Sequence, residues 1–355
     1  MLKRLSLVLL LGCVLSLTGA LHAQNSLTVL TTNTIIADVA QNVGGDLVTV
    51  TSLVPPDTDI HAFQPTPSDV LAASSADLVL VSGAGLEAFL GDLLQGAVDD
   101  PARIIVVSNG VTIHAAHHRQ DDTATPDATD AAPRTDATAE PSAPDIIGVL
   151  GQDAACGDLF AQATPDVTST EATDEEHGPC DPHVWTDPNN VKIWVDTIEA
   201  AFAAADPAHA DAYHANAEAY KAKLEALDQE VMQILAVVPP ERRVLVTNHD
   251  FIGYFAAHYG FEIVGTVIPG VSTLTEPAPQ ELAALVETIK AQNVPAIFVE
   301  ASDPGMLANV VAQEVGREIK VVALYSDSLS AADSPAATYM DYLRANAYII
   351  ADALQ

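Results

Sequence analysis

The sequence predicts an α/β protein of two similar βα lobes with parallel sheets, joined by a long helix. Short apolar runs rich in β-branched residues alternate with helical segments in two separate series. Alanine-rich helical sequence lies between the two series. Because the runs are apolar at nearly every position, their strands should be buried on both faces, which is typical of parallel sheets between helix layers.

The first series predicts an N-terminal lobe over residues 24–186. Asn33 is the expected cap of a helix that ends at Gly44 and Gly45, while Pro67 and Ser68 open the next helix. The predicted strands are LTVLTT from Leu27, LVTVTSLV from Leu47, LVLVS from Leu78 and IIVVS from Ile104.

The second series predicts a C-terminal lobe over residues 239–355. Before it, residues 187–238 should form the connecting helices, which begin at Asp187 and Pro188 and act as a spacer. The predicted strands of this lobe are RVLVT from Arg243, FEIVGTVI from Phe261, PAIFVE from Pro295 and IKVVALY from Ile319.

The N-terminus has the pattern of a secretory signal peptide over residues 1–23. A basic start, MLKR, precedes the apolar residues 5–17, and small residues follow at Ala20 and Ala23. The apolar run is short for a membrane span. We therefore expect export across the cytoplasmic membrane to the periplasm or the outer cell surface. Lipid attachment at Cys13 is an alternative to cleavage.

The charge of the chain restricts its partners. Without residues 1–23, Lys and Arg fall from 14 to 12 against 48 Asp and Glu, for a formal charge of −36. So acidic a surface repels nucleic-acid phosphates and anionic lipids, which argues against both as partners. It attracts cations, although adaptation for solubility or high salt would produce the same composition.

A polar segment of about residues 114–181 interrupts the first lobe. Between residues 119 and 181 there are 15 acidic residues and two arginines, with abundant Ala, Thr and Pro, which predicts a mobile insertion. Four histidines near its ends could collect metal transiently, or they could be incidental residues of a solvated linker. They are His114, His117, His118 and His177.

The cysteines of the mature chain form one pair. Cys156 and Cys180 bracket a polar segment, and in an exported protein this predicts a disulfide. The alternative is metal ligation, because HGPCDPH places His177, Cys180 and His183 at three-residue intervals.

Four polar residues mark points where functional groups are expected. His61, His249 and Asp327 each follow a predicted strand, and His183 precedes the first connecting helix. Ligands of such folds bind beyond the carboxyl ends of strands, so these groups could converge in the cleft between the lobes. Three imidazoles and one carboxylate suit tetrahedral Zn²⁺ and leave no position for a reactive water. Individually, each could instead be a turn or helix-cap residue.

Four segments also resemble the zinc/manganese substrate-binding proteins of ABC importers. They are VPPDTDIHAFQPTPSDVLAASSADLVLVSGAGLEAFL, DPHVWTDPNNV, TNHDFIGYFAAHYGFEIVG and YSDSLS. The resemblance extends over nearly the whole mature chain. By position, it implies that His61, His183, His249 and Asp327 coordinate the metal. It also implies a permease and an ATPase as partners, so membrane association would be through the permease.

The third ligand position favours zinc over manganese. In the resembled family this position varies, with Glu tending toward manganese and His toward zinc, and here it is His249. The family often carries a His-rich loop where this chain has its acidic, His-poor insertion, which weakens the case for an accessory role. Glu300, at the end of a predicted strand, could support a ligand imidazole or form a buried ion pair.

The sequence thus predicts a secreted, monomeric, non-enzymatic Zn²⁺ receptor. A manganese receptor and a metal-dependent adhesin are the alternatives of related kind. A zinc hydrolase is the alternative of another class, but the chain contains neither HExxH nor GxSxG. Because rigid helix is predicted to join the lobes, we expect only a small lobe movement on binding.

Overall fold

The computed structural model describes residues 26–116 and 180–355. In the first range, strands and helices alternate along the chain and build the first lobe. They are β1 (Leu27–Thr31), α1 (Thr34–Gly44), β2 (Val48–Ser52), α2 (Pro67–Ser75), β3 (Leu78–Val81), α3 (Gly91–Ala97) and β4 (Ile104–Val106). The predicted signal peptide lies outside the described residues.

Two long helices, α4 (Pro188–Ala205) and α5 (Ala210–Leu235), then lead to the second lobe. This lobe repeats the alternation and ends on a helix. Its elements are β5 (Val244–Thr247), α6 (Gly253–Tyr259), β6 (Glu262–Thr266), α7 (Pro279–Ala291), β7 (Ala296–Glu300), α8 (Met306–Glu314), β8 (Lys320–Leu324) and α9 (Tyr339–Leu354).

Each lobe is built on a four-stranded parallel sheet, and both sheets have the same strand order. The orders are β2-β1-β3-β4 and β6-β5-β7-β8. This arrangement confirms the predicted fold class, and all the predicted strands are present. Since the strands of each sheet are parallel, their carboxyl ends share one edge, where the loops that could bind a ligand begin.

Local sequence signals set the helix boundaries as expected. The Asn33 side chain accepts a hydrogen bond of 2.9 Å from the backbone N–H of Ile36 at the start of α1. Gly45 follows α1 with a φ of 57°, a conformation in which glycine has no steric penalty. At α4, the side chain of Asp187 caps the helix through the N–H of Asn189.

The two connecting helices do more than separate the lobes. α5 packs against α4, against α1 of the first lobe and against α9 of the second. One buried apolar cluster runs from the first sheet through both helices into the second sheet, and includes Trp185, Trp194 and Tyr339. Smaller clusters fill the outer part of each lobe. Among the described residues, no helix has the length and apolar character needed to span a membrane.

Candidate metal centre

The four predicted ligands meet in the structure. His61, His183, His249 and Asp327 each place one ligand atom within 4.8 Å of those of the other three. All four are buried, with at most 4% of any of these residues exposed. Side chains separated by up to 266 positions in the chain therefore form one compact, buried cluster.

Each ligand lies where a strand or helix boundary places it. His249 comes two residues after β5, Asp327 three residues after β8, and His61 in the loop between β2 and α2. His183 precedes a short 3₁₀ turn, Val184–Thr186, that leads into α4. The indole N–H of Trp185 in this turn donates to the carbonyl of Ser326, which holds the segments of His183 and Asp327 together.

The distances within the cluster fit a small dication. The Nε2 atom of His183 lies 3.4 Å from the Nε2 of His61 and 3.4 Å from the Nε2 of His249. The carboxylate oxygens of Asp327 lie 3.7 Å from His61 Nε2 and 3.6 Å from His183 Nε2. Tetrahedral bonds of zinc length would separate the ligand atoms by about 3.3 to 3.4 Å.

Two further carboxylates orient the imidazoles. Asp181 Oδ1 lies 2.8 Å from Nδ1 of His183, and Glu300 Oε1 lies 2.9 Å from Nδ1 of His249. A carboxylate behind a ligating imidazole fixes the ring and makes it a better donor. Glu300 was anticipated from its place at the end of a strand. Asp181 was not, although its position two residues before His183 in DPH was an available signal.

The environment of Glu300 keeps it ionised beside His249. Its oxygens accept hydrogen bonds from Asn248 Nδ2 at 3.2 Å and from Ser326 Oγ at 2.8 Å. Burial alone would raise the pKa of Glu300, but the facing His249 and these hydrogen bonds lower the pKa to about 2. Burial lowers the pKa of His249, yet the charges of Glu300 and Asp327 outweigh it and raise that pKa to about 9.

Asp327 is the acidic member of the cluster. Burial, followed by the neighbouring charge of Glu300, raises the pKa of Asp327 well above its usual range. Among the described residues, neither carboxylate oxygen has a hydrogen-bond partner. A buried carboxylate without hydrogen bonds is costly, and a dication between it and the imidazoles would remove that cost.

Backbone and side-chain hydrogen bonds close the rim of the cleft between the lobes. The N–H groups of Asp57 and Thr58 in the first lobe donate to Leu329 O at 3.1 Å and to Ser328 Oγ at 3.1 Å in the second. Asp59 accepts a 2.7 Å bond from Thr273 Oγ1. Sequence reasoning missed these contacts, because nothing in the local pattern relates loops this far apart.

The histidine at the start of the insertion lies near the cluster without joining it. The ring of His114 stacks on Tyr254 with 4.1 Å between centroids, and the backbone N–H of His114 donates to the tyrosine hydroxyl at 3.0 Å. Ala115 and Cys180 form an antiparallel bridge. His117, His118, His177 and Cys156 lie outside the described residues, so the accessory metal site and the disulfide stay predictions.

Comparison with known proteins identifies relatives that are named for binding metals. The model of the family described as "Zinc-uptake complex component A periplasmic" matches residues 29–353. The manganese-binding lipoprotein MntA of Bacillus subtilis is 31% identical over 353 residues, which cover 98% of this chain and 95% of MntA. The iron-binding protein YfeA of Yersinia pestis is 30% identical over 315 residues, or 89% of this chain and 82% of YfeA.

Solved structures show the same fold. The periplasmic zinc-binding protein TroA of Treponema pallidum superposes with a TM-score of 0.70 at 25% identity, covering 93% of this chain and 99% of TroA. The Mn-bound periplasmic metal-binding protein of Candidatus Liberibacter asiaticus gives a TM-score of 0.68 at 26% identity, with 92% and 99% of the two chains covered.

Proposed function

Because the chain belongs to the zinc-uptake complex component A family, whose members are substrate-binding proteins of metal ABC importers, we propose that it is a Zn²⁺ receptor. In this proposal, His61, His183, His249 and Asp327 hold the ion between the two lobes. The receptor then presents the ion to a membrane permease driven by an ATPase.

The observation that carries the proposal is the spacing of the ligand atoms. Three imidazole nitrogens and a carboxylate, buried together at 3.4 to 3.7 Å, match the donor set and the size of a tetrahedral zinc site. A bound dication would also satisfy the oxygens of Asp327, which have no hydrogen-bond partner among the described residues.

The choice of zinc rests on the donor set. Three nitrogen donors and one oxygen favour Zn²⁺ over Mn²⁺, which binds more weakly at sites of this kind and prefers oxygen-rich ones. Relatives are named for manganese and for iron. A manganese receptor is accordingly the second candidate, and it would use both oxygens of Asp327 to reach a higher coordination number.

The chain is a binding protein, not an enzyme, as are the relatives named above. Four protein ligands would complete the coordination of a tetrahedral ion, so no bound water would be available for activation. The ion is the cargo, and the receptor has to release it to the permease unchanged.

Location and assembly follow from the same proposal. The N-terminal pattern, the periplasmic family description and the lipoprotein MntA support export and a place outside the cytoplasmic membrane. We further propose that the receptor works as a monomer and that Cys156 and Cys180 form a disulfide. Free-thiol titration of the non-reduced protein would disprove the disulfide by detecting two reactive thiols.

The decisive experiment is native mass spectrometry with metal analysis on untagged mature protein. The expected result is one Zn²⁺ per chain, retained against a competing chelator in the presence of excess Mn²⁺. Preferential retention of Mn²⁺ would establish the second candidate, and the absence of any tightly held metal would overturn the receptor function. His214→Ala is a suitable control variant, since the His214 side chain is 63% exposed and pairs with Glu199 on the helix surface.

A further inference from the structure

A fourth acidic residue, Asp59, lies beside the ligand cluster at its solvent edge. Asp59, Glu300 and Asp327 form a second group whose ligand atoms lie within 4.8 Å of one another. Glu300 is 1% exposed and Asp327 is 2% exposed, whereas Asp59 is only half-buried. Asp59 is thus the member of this group that solvent reaches most easily.

The carboxylate of Asp59 is anchored but retains free acceptor capacity. Its oxygens accept one bond each, from the backbone N–H of His61 at 2.8 Å and from Thr273 Oγ1 at 2.7 Å. An ionised carboxylate oxygen has two lone-pair sites, so each oxygen keeps one for a cation. The oxygens of Glu300 are committed to His249, Asn248 and Ser326.

The second observation is Asp327 itself. It is buried, lies within reach of Asp59, and has no hydrogen bond to its oxygens among the described residues. The rings of His183 and His249 are completely buried. An ion that arrives from the cleft rim therefore meets carboxylate oxygens before it meets these imidazole nitrogens, and oxygen donors exchange readily with the waters of a hydrated dication.

We propose that Asp59, together with Asp327, first captures the incoming dication and then passes it to the three imidazoles. This inference rests on the proposed receptor function. Asp59 contributes negative charge at the entrance, where it lowers the barrier to entry. Since entry and exit follow the same path, the same carboxylate also eases the departure of the ion when the cleft opens.

Stopped-flow measurement of Zn²⁺ binding to the metal-free mature protein tests this role. Tryptophan fluorescence is a direct reporter, because the rings of Trp185 and His183 are 5.3 Å apart. Asp59→Asn keeps the size and an acceptor for the His61 N–H but removes the charge. The association rate constant should fall roughly tenfold, while the dissociation rate constant stays constant or falls.

Three control variants separate charge from structure. Thr273→Val removes the hydrogen bond across the cleft but keeps the carboxylate, and should leave the association rate constant unchanged. Asp59→Glu keeps the negative charge, so its association rate constant should be near the wild-type value. Asp211→Asn removes one exposed charge on α5 and should have no effect. If Asp59→Asn fails to fold, Asp59→Ser provides the same comparison.

The outcomes distinguish the two proposals. The association rate constant of Asp59→Asn could be unchanged, or only the dissociation could become faster. Either result would show that Asp59 has a structural role and would overturn the capture role. If the wild-type protein itself binds no Zn²⁺, the receptor function fails instead. If the wild type binds and the association rate constant falls only when the charge is removed, the capture role is established.

Discussion

Each lobe buries a glutamate near the carboxyl end of the third strand of its sheet, and the two glutamates have different roles. In the first lobe, Glu87 accepts bonds from Thr32 Oγ1 at 2.7 Å and from the N–H groups of Ser82 and Gly83 at 2.7 and 2.9 Å. In the second lobe, Glu300 bonds to loop residues in the same way, but it also faces the imidazole of His249.

The difference shows how one architecture supports both a scaffold and a binding site. Burial raises the pKa of Glu87, which faces only neutral partners. His249 lowers the pKa of Glu300 to about 2 despite similar burial. Both carboxylates bond to loops at the carboxyl edge of a sheet, and of the two only Glu300 also contacts the ring of a candidate ligand. The role of a buried acid in this protein therefore depends on the groups that contact its carboxylate, and not on its position in the fold.

The strongest test of this comparison removes the ring that Glu300 faces. His249→Ala should weaken Zn²⁺ affinity by roughly a thousandfold or more, because one of four bonds to the ion is lost and Glu300 is left buried without its partner. Competition against a chelator of known affinity measures the change. An affinity equal to that of His214→Ala would remove His249 from the site.

The pH dependence of binding should be the next largest effect. Because the pKa of His249 is about 9 without metal, the ion must displace a proton from this ring at neutral pH. Affinity should rise with pH, by roughly tenfold per pH unit for each proton released, and level off above about pH 9. Calorimetry in buffers of different ionisation enthalpy counts those protons, and a count of zero would contradict the assigned pKa directions.

Neutralising the two glutamates separately sharpens the contrast between the lobes. Glu300→Gln should weaken Zn²⁺ affinity by roughly 10- to 100-fold, since the ring of His249 loses the carboxylate that orients it. Glu87→Gln should leave affinity within about twofold and lower the free energy of unfolding by about 1–3 kcal/mol, the usual effect of disturbing a buried hydrogen-bonded group. Chelator competition and urea unfolding measure the two quantities. Equal losses of Zn²⁺ affinity in both variants would contradict the proposed difference between the two glutamates.

The smallest effect is expected at the insertion. The triple substitution of His114, His117 and His118 by Ala should leave the affinity of the tight site unchanged, which native mass spectrometry can verify. Substitution is preferable to deletion, because the carbonyl of His114 accepts a bond from the N–H of Asp181, the residue that supports His183. A lost tight site in the triple variant would place one of these histidines among the ligands.

Much of the fold was predictable because its signals are local. The β-branched runs marked all the strands, and Asn33, Pro67 and Asp187 marked the starts of three helices. The candidate ligands could be proposed from their places after strands, with the family resemblance to select among equivalent alternatives. A single histidine after a strand would not have been sufficient evidence.

The remaining features depend on contacts that only the folded chain creates. The hydrogen bond between Asp59 and Thr273 joins residues that are 214 positions apart, and the sequence of neither loop predicts it. The connecting helices looked like a spacer because their sequence is rich in alanine, yet α5 buries one face against both lobes. Their role in the core follows from the packing of α1 and α9 around them.

The bridge between Ala115 and Cys180 has a practical consequence for engineering this receptor. The chain leaves and re-enters the first lobe at adjacent points, so the length of the intervening stretch is nearly independent of the rest of the architecture. A short turn or a fluorescent domain could be spliced between these two residues, with the backbone bond of Asp181 kept intact. A reporter inserted there would be separated only by Cys180 from Asp181, the residue whose carboxylate contacts the ring of His183.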